Sequence, residues 1–369
     1  MSGKIPFLNL RLGEDAAAVE AAIRRVLDRG WYILGPELSA FEEEFAAAAG
    51  AKHAVGVGTG TDAIALLLRG LGVGPGDDVI TAPVSAAYSA LAIQMAGATP
   101  VFADLDDRRM TLDPRAAEAA ITPRTKAILP VHLYGQPADL PALKAIADKH
   151  RLLLVEDACQ SHFATCGGKP VGSFGAGAAY SFYPTKNLGA LGDGGAITTD
   201  DAALADRLKR LRNGGQADRY LHQEFGVNSR LDEMQAAILR ARLAFLPAWT
   251  ARRRALALRY RAALAASGIH VPPECDPGHV YHLFPVRSTR RENLRAALDA
   301  RGVETLIHYP IALPRQPAFA ALNPADCPNG ARLAAEVFSL PLHPGLTDSE
   351  VDAVAAAVCA VAPRNSPEN

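Results

Sequence analysis

Lys186 lies between an apolar segment, GAAYSFY (177–183), and a glycine-rich segment, NLGALGDGG (187–195). A buried ammonium group is costly unless a partner compensates its charge. Lys186 is therefore either exposed to solvent on a loop or held in a partly desolvated place for a chemical purpose. A lysine of the second kind has a lowered pKa and can form a Schiff base with a carbonyl compound.

Two carboxylates end another apolar segment, LLLVEDACQSH (152–162). If this segment is a strand buried on both faces, Glu156 or Asp157 must face the interior or a cleft, where it needs a cationic or hydrogen-bonding partner. One interpretation is a helix cap or an internal salt bridge. The functional interpretation is that Asp157 holds the protonated ring nitrogen of a bound cofactor.

A glycine-rich bend, VGVGTGTDAI (55–64), separates a predicted strand from a predicted helix. Backbone N–H groups at such a helix start suit a phosphate. The dinucleotide fingerprint G-x-G-x-x-G is broken because Thr61 stands where its last glycine belongs, which disfavours a nicotinamide-dependent oxidoreductase. The segment FGVNSRLDEMQAA (225–237), which contains Asn228, indicates by itself only the start of an amphipathic helix.

The order of these residues points to one cofactor. Asp157 ends a strand, Ser181 and Lys186 follow within about 30 residues, and the glycine-rich bend lies well upstream. Pyridoxal phosphate requires a lysine for its aldehyde, a partner for its pyridinium nitrogen and a phosphate site. Each element alone is a weak signal, whereas the set in this order predicts a pyridoxal-phosphate site.

The predicted strands and helices around these residues indicate an α/β fold. From residue 53 to about residue 160, short apolar segments alternate with helical ones. The apolar segments have no polar face, which is typical of a mostly parallel sheet covered on both sides. Near residue 250 an Arg/Ala-rich helix leads into the proline-rich VPPECDPG (271–278). We predict a large cofactor-binding domain (1–250) and a smaller C-terminal α+β domain (251–369).

Composition excludes several other classes. The chain has 369 residues, 49% hydrophobic and 21% charged, with a net charge of −1, so nucleic acid and anionic membranes are not expected as main partners. Its five cysteines are scattered without a C-x-x-C pair, so neither a disulfide framework nor a metal site is expected. No window approaches the roughly 18 uncharged apolar residues of a membrane span. We expect a cytoplasmic protein.

Motifs along nearly the whole chain resemble the DegT/StrS-type sugar aminotransferases, a branch of the fold-type I pyridoxal-phosphate enzymes. The motifs that carry this resemblance are GPELSAFEEEFA (35–46), GTGTDAI (58–64), VEDACQSH (155–162), SFYPTKNLGALGDGGAI (181–197), IHYPIALPRQPAF (307–319) and SLPLHPGLTDSEV (339–351). The resemblance implies a three-layer fold of the aspartate-aminotransferase type.

The resemblance also implies roles for the cofactor-site residues. Lys186 would form the Schiff base and later shuttle a proton, and Asp157 would pair with the pyridinium nitrogen. Gln160 would contact the phenolic oxygen of the ring. The phosphate would be bound by Gly60, Thr61 and Ser181, with Asn228 completing the site from a second subunit, which implies a homodimer with shared active sites.

The resemblance extends to the substrate side. His308 and Tyr309 lie where members of the family shape the sugar pocket, and Arg219 and Tyr220 fall in a loop that often reaches it. Ala86 stands where a ring-stacking aromatic residue is common. We assign stacking to Tyr88 instead.

The implied reaction has two halves. L-Glutamate or L-glutamine converts the cofactor to pyridoxamine phosphate, and a keto sugar on a nucleoside diphosphate then accepts the amine. The segment IHYP (307–310) followed by QPAF (316–319) leans toward relatives that act at C3 of the sugar. The alternatives are a 4-keto sugar, a cyclitol ketone such as an inosose, a pyridoxal-phosphate-dependent sugar dehydratase and a non-catalytic regulatory protein. Relatives that are dehydratases replace the lysine with histidine, so Lys186 argues against that activity.

Overall fold

The computed structural model describes residues 4–362 of the chain. Its strands are β1 (His53–Val57), β2 (Asp78–Thr81), β3 (Thr99–Phe102), β4 (Thr125–Leu129), β5 (Leu153–Asp157), β6 (Thr165–Cys166), β7 (Lys169–Pro170), β8 (Gly177–Ser181), β9 (Gly195–Thr199), β10 (Gln216–Asp218), β11 (Leu221–His222), β12 (Phe284–Arg287) and β13 (Val337–Leu340). Its α-helices are α1 (Ala16–Arg29), α2 (Pro36–Ala49), α3 (Gly60–Gly70), α4 (Tyr88–Met95), α5 (Pro114–Ala119), α6 (Leu140–His150), α7 (Ala202–Leu211), α8 (Glu233–Leu243), α9 (Leu246–Leu264), α10 (Arg291–Asp299), α11 (Pro328–Glu336) and α12 (Asp348–Val361).

A seven-stranded sheet in the order β1-β9-β8-β5-β4-β2-β3 organises the large part of the chain. Strands β8, β5, β4, β2 and β3 pair in parallel, whereas β9 is antiparallel to both β1 and β8. The predicted α/β fold with a mostly parallel sheet is confirmed. Parallel neighbours bring the carboxyl ends of β2, β4, β5 and β8 to one edge, where ligands bind in such sheets.

Each face of the sheet packs against its own layer of helices. Alternate residues along one strand enter opposite cores: Leu154 of β5 packs with residues of α2, α6 and α8, and Val155 with residues of α3, α4 and α7. The continuous apolar pattern of the strands has this cause, because neither face of the sheet is left to solvent.

The C-terminal part has a separate apolar core. Residues of α9, α10 and α12 pack there against the antiparallel pair β12–β13. Near the start of the chain, Ile5 forms a parallel bridge with Val303, so this N-terminal segment lies against the C-terminal part. The domain boundary at residue 250 falls inside α9 and stays a prediction. Within residues 4–362, no helix is long and apolar enough to cross a membrane.

Candidate active site

A cavity of about 800 Å³ opens where the predicted residues meet. It lies at the carboxyl ends of β1, β2, β5 and β8, with residues of the C-terminal part forming another wall. The predicted site residues that line it are Gly60, Thr61, Tyr88, Asp157, Gln160, Ser181, Lys186, His308 and Tyr309. These residues come from segments that are far apart in the sequence, and they meet because the strands that precede them end at the same edge of the sheet.

The adjacent carboxylates of β5 have different surroundings. Glu156 is fully buried beneath the sheet edge, where its carboxylate accepts hydrogen bonds from the backbone N–H groups of Gly172 (2.7 Å), Phe174 (3.0 Å) and Gly175 (3.2 Å). It also accepts one from Nε2 of His132 at 3.2 Å. Of the two carboxylates, Glu156 therefore has the structural role that was one interpretation of this segment.

Asp157 faces the cavity, because side chains alternate along a strand. Its Oδ2 accepts a hydrogen bond from the Ser89 hydroxyl at 2.7 Å, and its Oδ1 accepts one from the backbone N–H of Cys159 at 3.1 Å. Each oxygen therefore has one donor from the protein. The remaining lone pairs are free for a protonated ring nitrogen.

Lys186 lies in the turn after β8, where its backbone N–H donates to the carbonyl of Tyr183 at 2.8 Å. Burial disfavours the charged ammonium and lowers the pKa of Lys186, and the acidic groups of Cys159 and Asp157 oppose this shift without cancelling it. A lysine with a lowered pKa carries more of the neutral amine that attacks a carbonyl group. The following residue, Asn187, fixes the turn by donating to the carbonyl of Val280 at 3.1 Å.

The start of α3 forms a concave backbone surface beside Ser181. Thr59 caps this helix by accepting a hydrogen bond from the N–H of Asp62 at 3.0 Å. A Cβ atom on Gly60 would lie 2.6 Å from Cβ of Ser181, so the close approach of helix and strand requires glycine. The exposed N–H groups at the helix start, with the serine hydroxyl beside them, are suited to a phosphate.

These residues fit pyridoxal phosphate. A half-buried lysine, a carboxylate with free lone pairs and a helix N-terminus line one cavity. They match the aldehyde, the pyridinium nitrogen and the phosphate of the cofactor. Among residues 4–362, no group of three or more His, Cys, Asp and Glu side chains is placed to hold a metal ion.

Gln160 connects the cofactor side of the cavity with the C-terminal part. Its Oε1 accepts a hydrogen bond from the backbone N–H of Tyr134 at 2.8 Å, and its Nε2 donates to the Tyr309 hydroxyl at 3.1 Å. His308 places Nδ1 3.1 Å from the Ser339 hydroxyl. Burial, reinforced by the charge of Lys186, lowers the pKa of His308 to about 4, so this ring is neutral at pH 7.

Three predicted residues do not line the cavity of their own chain. Arg219 and Tyr220 lie in the exposed turn between β10 and β11, with the guanidinium 5.2 Å from the centre of the tyrosine ring. Asn228 is exposed beside the start of α8. Tyr88 and Ala86 both line the cavity, and the Tyr88 side chain is 63% exposed there. The stacking role of Tyr88 stays a prediction.

Sequence reasoning missed several residues that line the cavity. Ser89 faces it from the first turn of α4 and Ser85 from the segment before that helix, whereas Phe7 and Glu304 face it from the N-terminal segment and from the C-terminal part. Both serines follow the end of β2, where ligands gather in such sheets, and this position is the signal that could have found them. Nothing in the sequence links Phe7 with Glu304, whose carboxylate accepts a hydrogen bond from the Phe7 N–H at 2.9 Å.

Known proteins are similar to this chain in sequence and in fold. The model of the DegT/DnrJ/EryC1/StrS aminotransferase family matches residues 14–359. The chain is 51% identical over 351 residues to the dTDP-3-amino-3,4,6-trideoxy-alpha-D-glucose transaminase of Streptomyces venezuelae, covering 93% of this chain and 92% of that protein. It is 48% identical over 359 residues to the erythromycin biosynthesis sensory transduction protein EryC1 of Saccharopolyspora erythraea, covering 95% and 98%.

A solved structure agrees with the fold and with the cofactor assignment. The crystal structure of S. venezuelae DesV in complex with a ketimine intermediate superposes with a TM-score of 0.95 at 50% identity, covering 99% of this chain and 100% of that one. A ketimine contains a carbon–nitrogen double bond formed from an amine and a ketone. Transfer of an amino group to or from a ketone requires this linkage. The chain belongs to the DegT/DnrJ/EryC1/StrS aminotransferase family and is a pyridoxal-phosphate-dependent aminotransferase.

Proposed function

We propose that this enzyme moves an amino group from L-glutamate or L-glutamine to a keto sugar carried on a nucleoside diphosphate, at C3 of the sugar. The observation that carries the proposal is the cavity in which Lys186 and Asp157 meet the start of α3 and the wall around His308. Its volume of about 800 Å³ is large enough for a cofactor together with a substrate. The name of the 51% identical relative, a transaminase of a dTDP-3-amino sugar, supports the sugar class and the position.

Lys186 is the residue that we expect to move the proton. Pyridoxal phosphate, when bound, supplies an electron sink that stabilises negative charge on the carbon next to the reacting nitrogen. The Lys186 amine would hold the cofactor through its aldehyde group and would be free to act as a base once the substrate is bound. Its lowered pKa leaves it able to take a proton from the substrate carbon and to return it at the cofactor.

The other cofactor contacts orient the ring. Asp157 would accept a hydrogen bond from the ring nitrogen and so favour its protonated form. Gln160 has one amide hydrogen left after its bond to Tyr309, and we assign it to the phenolic oxygen. Gly60, Thr61 and Ser181 hold the phosphate at the start of α3, and Tyr88 covers one face of the ring. His308 and Tyr309 border the sugar on the C-terminal wall.

We further propose a homodimer in which each subunit completes the site of the other. Of the described residues that line the cavity, none is an arginine and Lys186 is the only lysine. The diphosphate of the acceptor and the carboxylates of the donor both need cationic partners. Arg219 in the exposed β10–β11 turn, with Asn228 near its base, would supply such contacts to the cavity of a second copy.

Exposed apolar residues in this turn, after it and before α2 support the same arrangement. Tyr220 is 80% exposed and Phe225 is 95% exposed. Ile33, 43% exposed beside Trp31, is bridged to Asp232 at the start of α8. Large apolar side chains that cluster on a surface mark an interaction site. A second copy of this chain would cover them.

The substrate is tested by assaying the purified enzyme with glutamate and a panel of nucleotide-linked 3-keto sugars, 4-keto sugars and inososes. We expect turnover of a 3-keto sugar that requires pyridoxal phosphate and disappears in Lys186→Ala. Turnover only with 4-keto sugars or inososes would refute the C3 assignment. Release of a deoxygenated sugar without consumption of glutamate would favour a dehydratase. Cofactor binding without any turnover would favour a regulatory protein such as the name of EryC1 suggests.

The shared site is tested by mixing two inactive variants. Lys186→Ala lacks the amine, and Asn228→Ala lacks the proposed contact from the partner. Each mixed dimer then contains one site with both residues intact, so an equal mixture should recover about a quarter of the wild-type activity. No recovery in mixtures that have been shown to exchange subunits would contradict the assignment of Asn228.

A further inference from the structure

We propose that Ser89 is a positioning residue that holds the Asp157 carboxylate in the orientation needed to bind the cofactor ring nitrogen. The proposal rests on the role given above to Asp157. Ser89 lies in the first turn of α4, is 2% exposed, and places its hydroxyl 2.7 Å from Oδ2 of Asp157. It lines the same cavity as Asp157 and Lys186.

The direction of the hydrogen bonds around Ser89 follows from the number of protons. Oγ of Ser85 lies 3.2 Å from Oγ of Ser89. A carboxylate only accepts, so the single hydroxyl proton of Ser89 goes to Asp157. Ser85 must therefore donate to Ser89. The result is a chain of two hydroxyls that ends on the carboxylate, in a buried place where successive hydrogen bonds strengthen one another.

The contact between Ser89 and Asp157 sets the last side-chain torsion of Asp157, which the backbone does not fix. The last torsion of an aspartate side chain is broad and roughly two-fold, so its carboxylate turns unless both oxygens are held. Cys159 N–H holds Oδ1 at 3.1 Å, and Ser89 is the side-chain donor to Oδ2. With both in place, one lone pair of the carboxylate stays directed into the cavity. Loss of Ser89 frees this rotation while leaving Asp157 present.

The test compares two cofactors on wild-type, Ser89→Ala and Ser89→Thr chains. One cofactor is pyridoxal phosphate, and the other is its analogue with carbon in place of the ring nitrogen. We expect Ser89→Ala to bind pyridoxal phosphate roughly tenfold more weakly, as the loss of one hydrogen bond to a charged group predicts. The analogue should bind the wild-type and Ser89→Ala chains equally, because it offers Asp157 no N–H. Ser89→Thr keeps the hydroxyl and should restore the affinity.

A spectroscopic readout tests the same point without turnover. With ¹⁵N-labelled pyridoxal phosphate bound, the ring nitrogen of Ser89→Ala should lose its proton at a lower pH than in the wild type. An equal loss of affinity for both cofactors would overturn the inference, since a merely structural residue does not distinguish nitrogen from carbon. An unchanged affinity for pyridoxal phosphate would also overturn it. If Ser89→Ala does not fold, Ser89→Cys, a weaker donor of similar size, takes its place with the same expected outcomes.

Asp157→Asn separates this inference from the function on which it rests. If Asp157→Asn lowers the affinity for both cofactors equally, the role of Asp157 itself is wrong. If Asp157→Asn weakens only pyridoxal phosphate and Ser89→Ala does not, only the role of Ser89 is wrong. Ser85→Ala serves as the graded control, because it removes the outer hydroxyl of the chain and should reduce the affinity by less than Ser89→Ala.

Discussion

Glu156 and Asp157, the neighbouring carboxylates of β5, should respond differently when each is changed to its amide. The first substitution should lower the free energy of unfolding, and the second should lower turnover. In Glu156→Gln, the amide oxygen can still accept from the N–H groups of Phe174 and Gly175. The new NH₂ group replaces the oxygen that accepts from Gly172 and His132, and it cannot accept. His132 cannot turn into an acceptor there, because its Nδ1 already accepts from the backbone N–H of Ala138 at 3.0 Å.

The expected loss of stability follows from these contacts. Two hydrogen bonds to an ionised group disappear, each worth about 1.5–3 kcal/mol, and the new NH₂ group faces two other donors in a fully buried place. We expect Glu156→Gln to lower the free energy of unfolding by about 3–5 kcal/mol. At about 2 °C per kcal/mol, the midpoint of thermal unfolding falls by roughly 6–10 °C.

Asp157→Asn is the matched control. Its remaining oxygen can accept from the N–H of Cys159, and the Ser89 hydroxyl can rotate to accept from the new amide. We expect its unfolding midpoint to change little, whereas its turnover falls roughly 100-fold or more, because the ring nitrogen loses its anionic partner. Both variants are measured by thermal unfolding without added pyridoxal phosphate, so that a change in cofactor affinity does not shift the midpoint, and by turnover with it. Equal losses of stability, or an unchanged midpoint for Glu156→Gln, would refute the assignment of the two faces.

Three further outcomes are expected. Gly60→Ala has no room for its Cβ and should weaken pyridoxal-phosphate binding by about 1–3 kcal/mol in a titration, whereas Gly13→Ala, with no atom within 4 Å, should not. Burial lowers the pKa of His162 from 6.5 to about 3, so the unfolded chain takes up this proton first as the pH falls and the folded state loses stability from pH 6.5 downward. The pKa values of His279 and His308 are lowered as well, so His162→Phe should reduce the fall of the unfolding midpoint between pH 6.5 and 4 without abolishing it, and an unchanged slope would contradict this. Arg219→Ala should raise the KM for the nucleotide sugar roughly tenfold without changing the unfolding midpoint, and Arg115→Ala, also exposed, should change neither quantity.

Much of the fold and part of the site follow from local patterns in the sequence. Apolar segments alternating with helical ones predict a parallel sheet, and parallel strands put their carboxyl ends at one edge. Lys186, Asp157 and Gly60 all follow or end strands at that edge, so their convergence could be predicted before any contact was known. The roles of Gln160, His308 and Tyr309 came from the resemblance to a family, because no pattern within the chain indicates them.

The tertiary structure was needed for the roles that depend on the direction of a side chain or on contacts between distant segments. The residues alone left open which of Glu156 and Asp157 faces the cavity, because the alternation of a strand shows that they differ and not which face is covered. Only the packing of residues 172–175 over one face assigns the structural role to Glu156. The role of Ser89 likewise depends on a hydroxyl oxygen 2.7 Å from a carboxylate that lies 68 positions later in the chain.

From the sequence, periodicity and the places where strands end were enough to predict the layered sheet, a lysine suited to the cofactor and the order of the residues around it. The tertiary structure decided which carboxylate faces the cofactor cavity, which hydroxyl holds it, and that Arg219, Tyr220 and Asn228 lie outside the cavity of their own chain. The physical reason is that hydrogen bonds act over about 3 Å and in set directions. Such contacts are set by the packing of whole elements, which no short stretch of sequence contains.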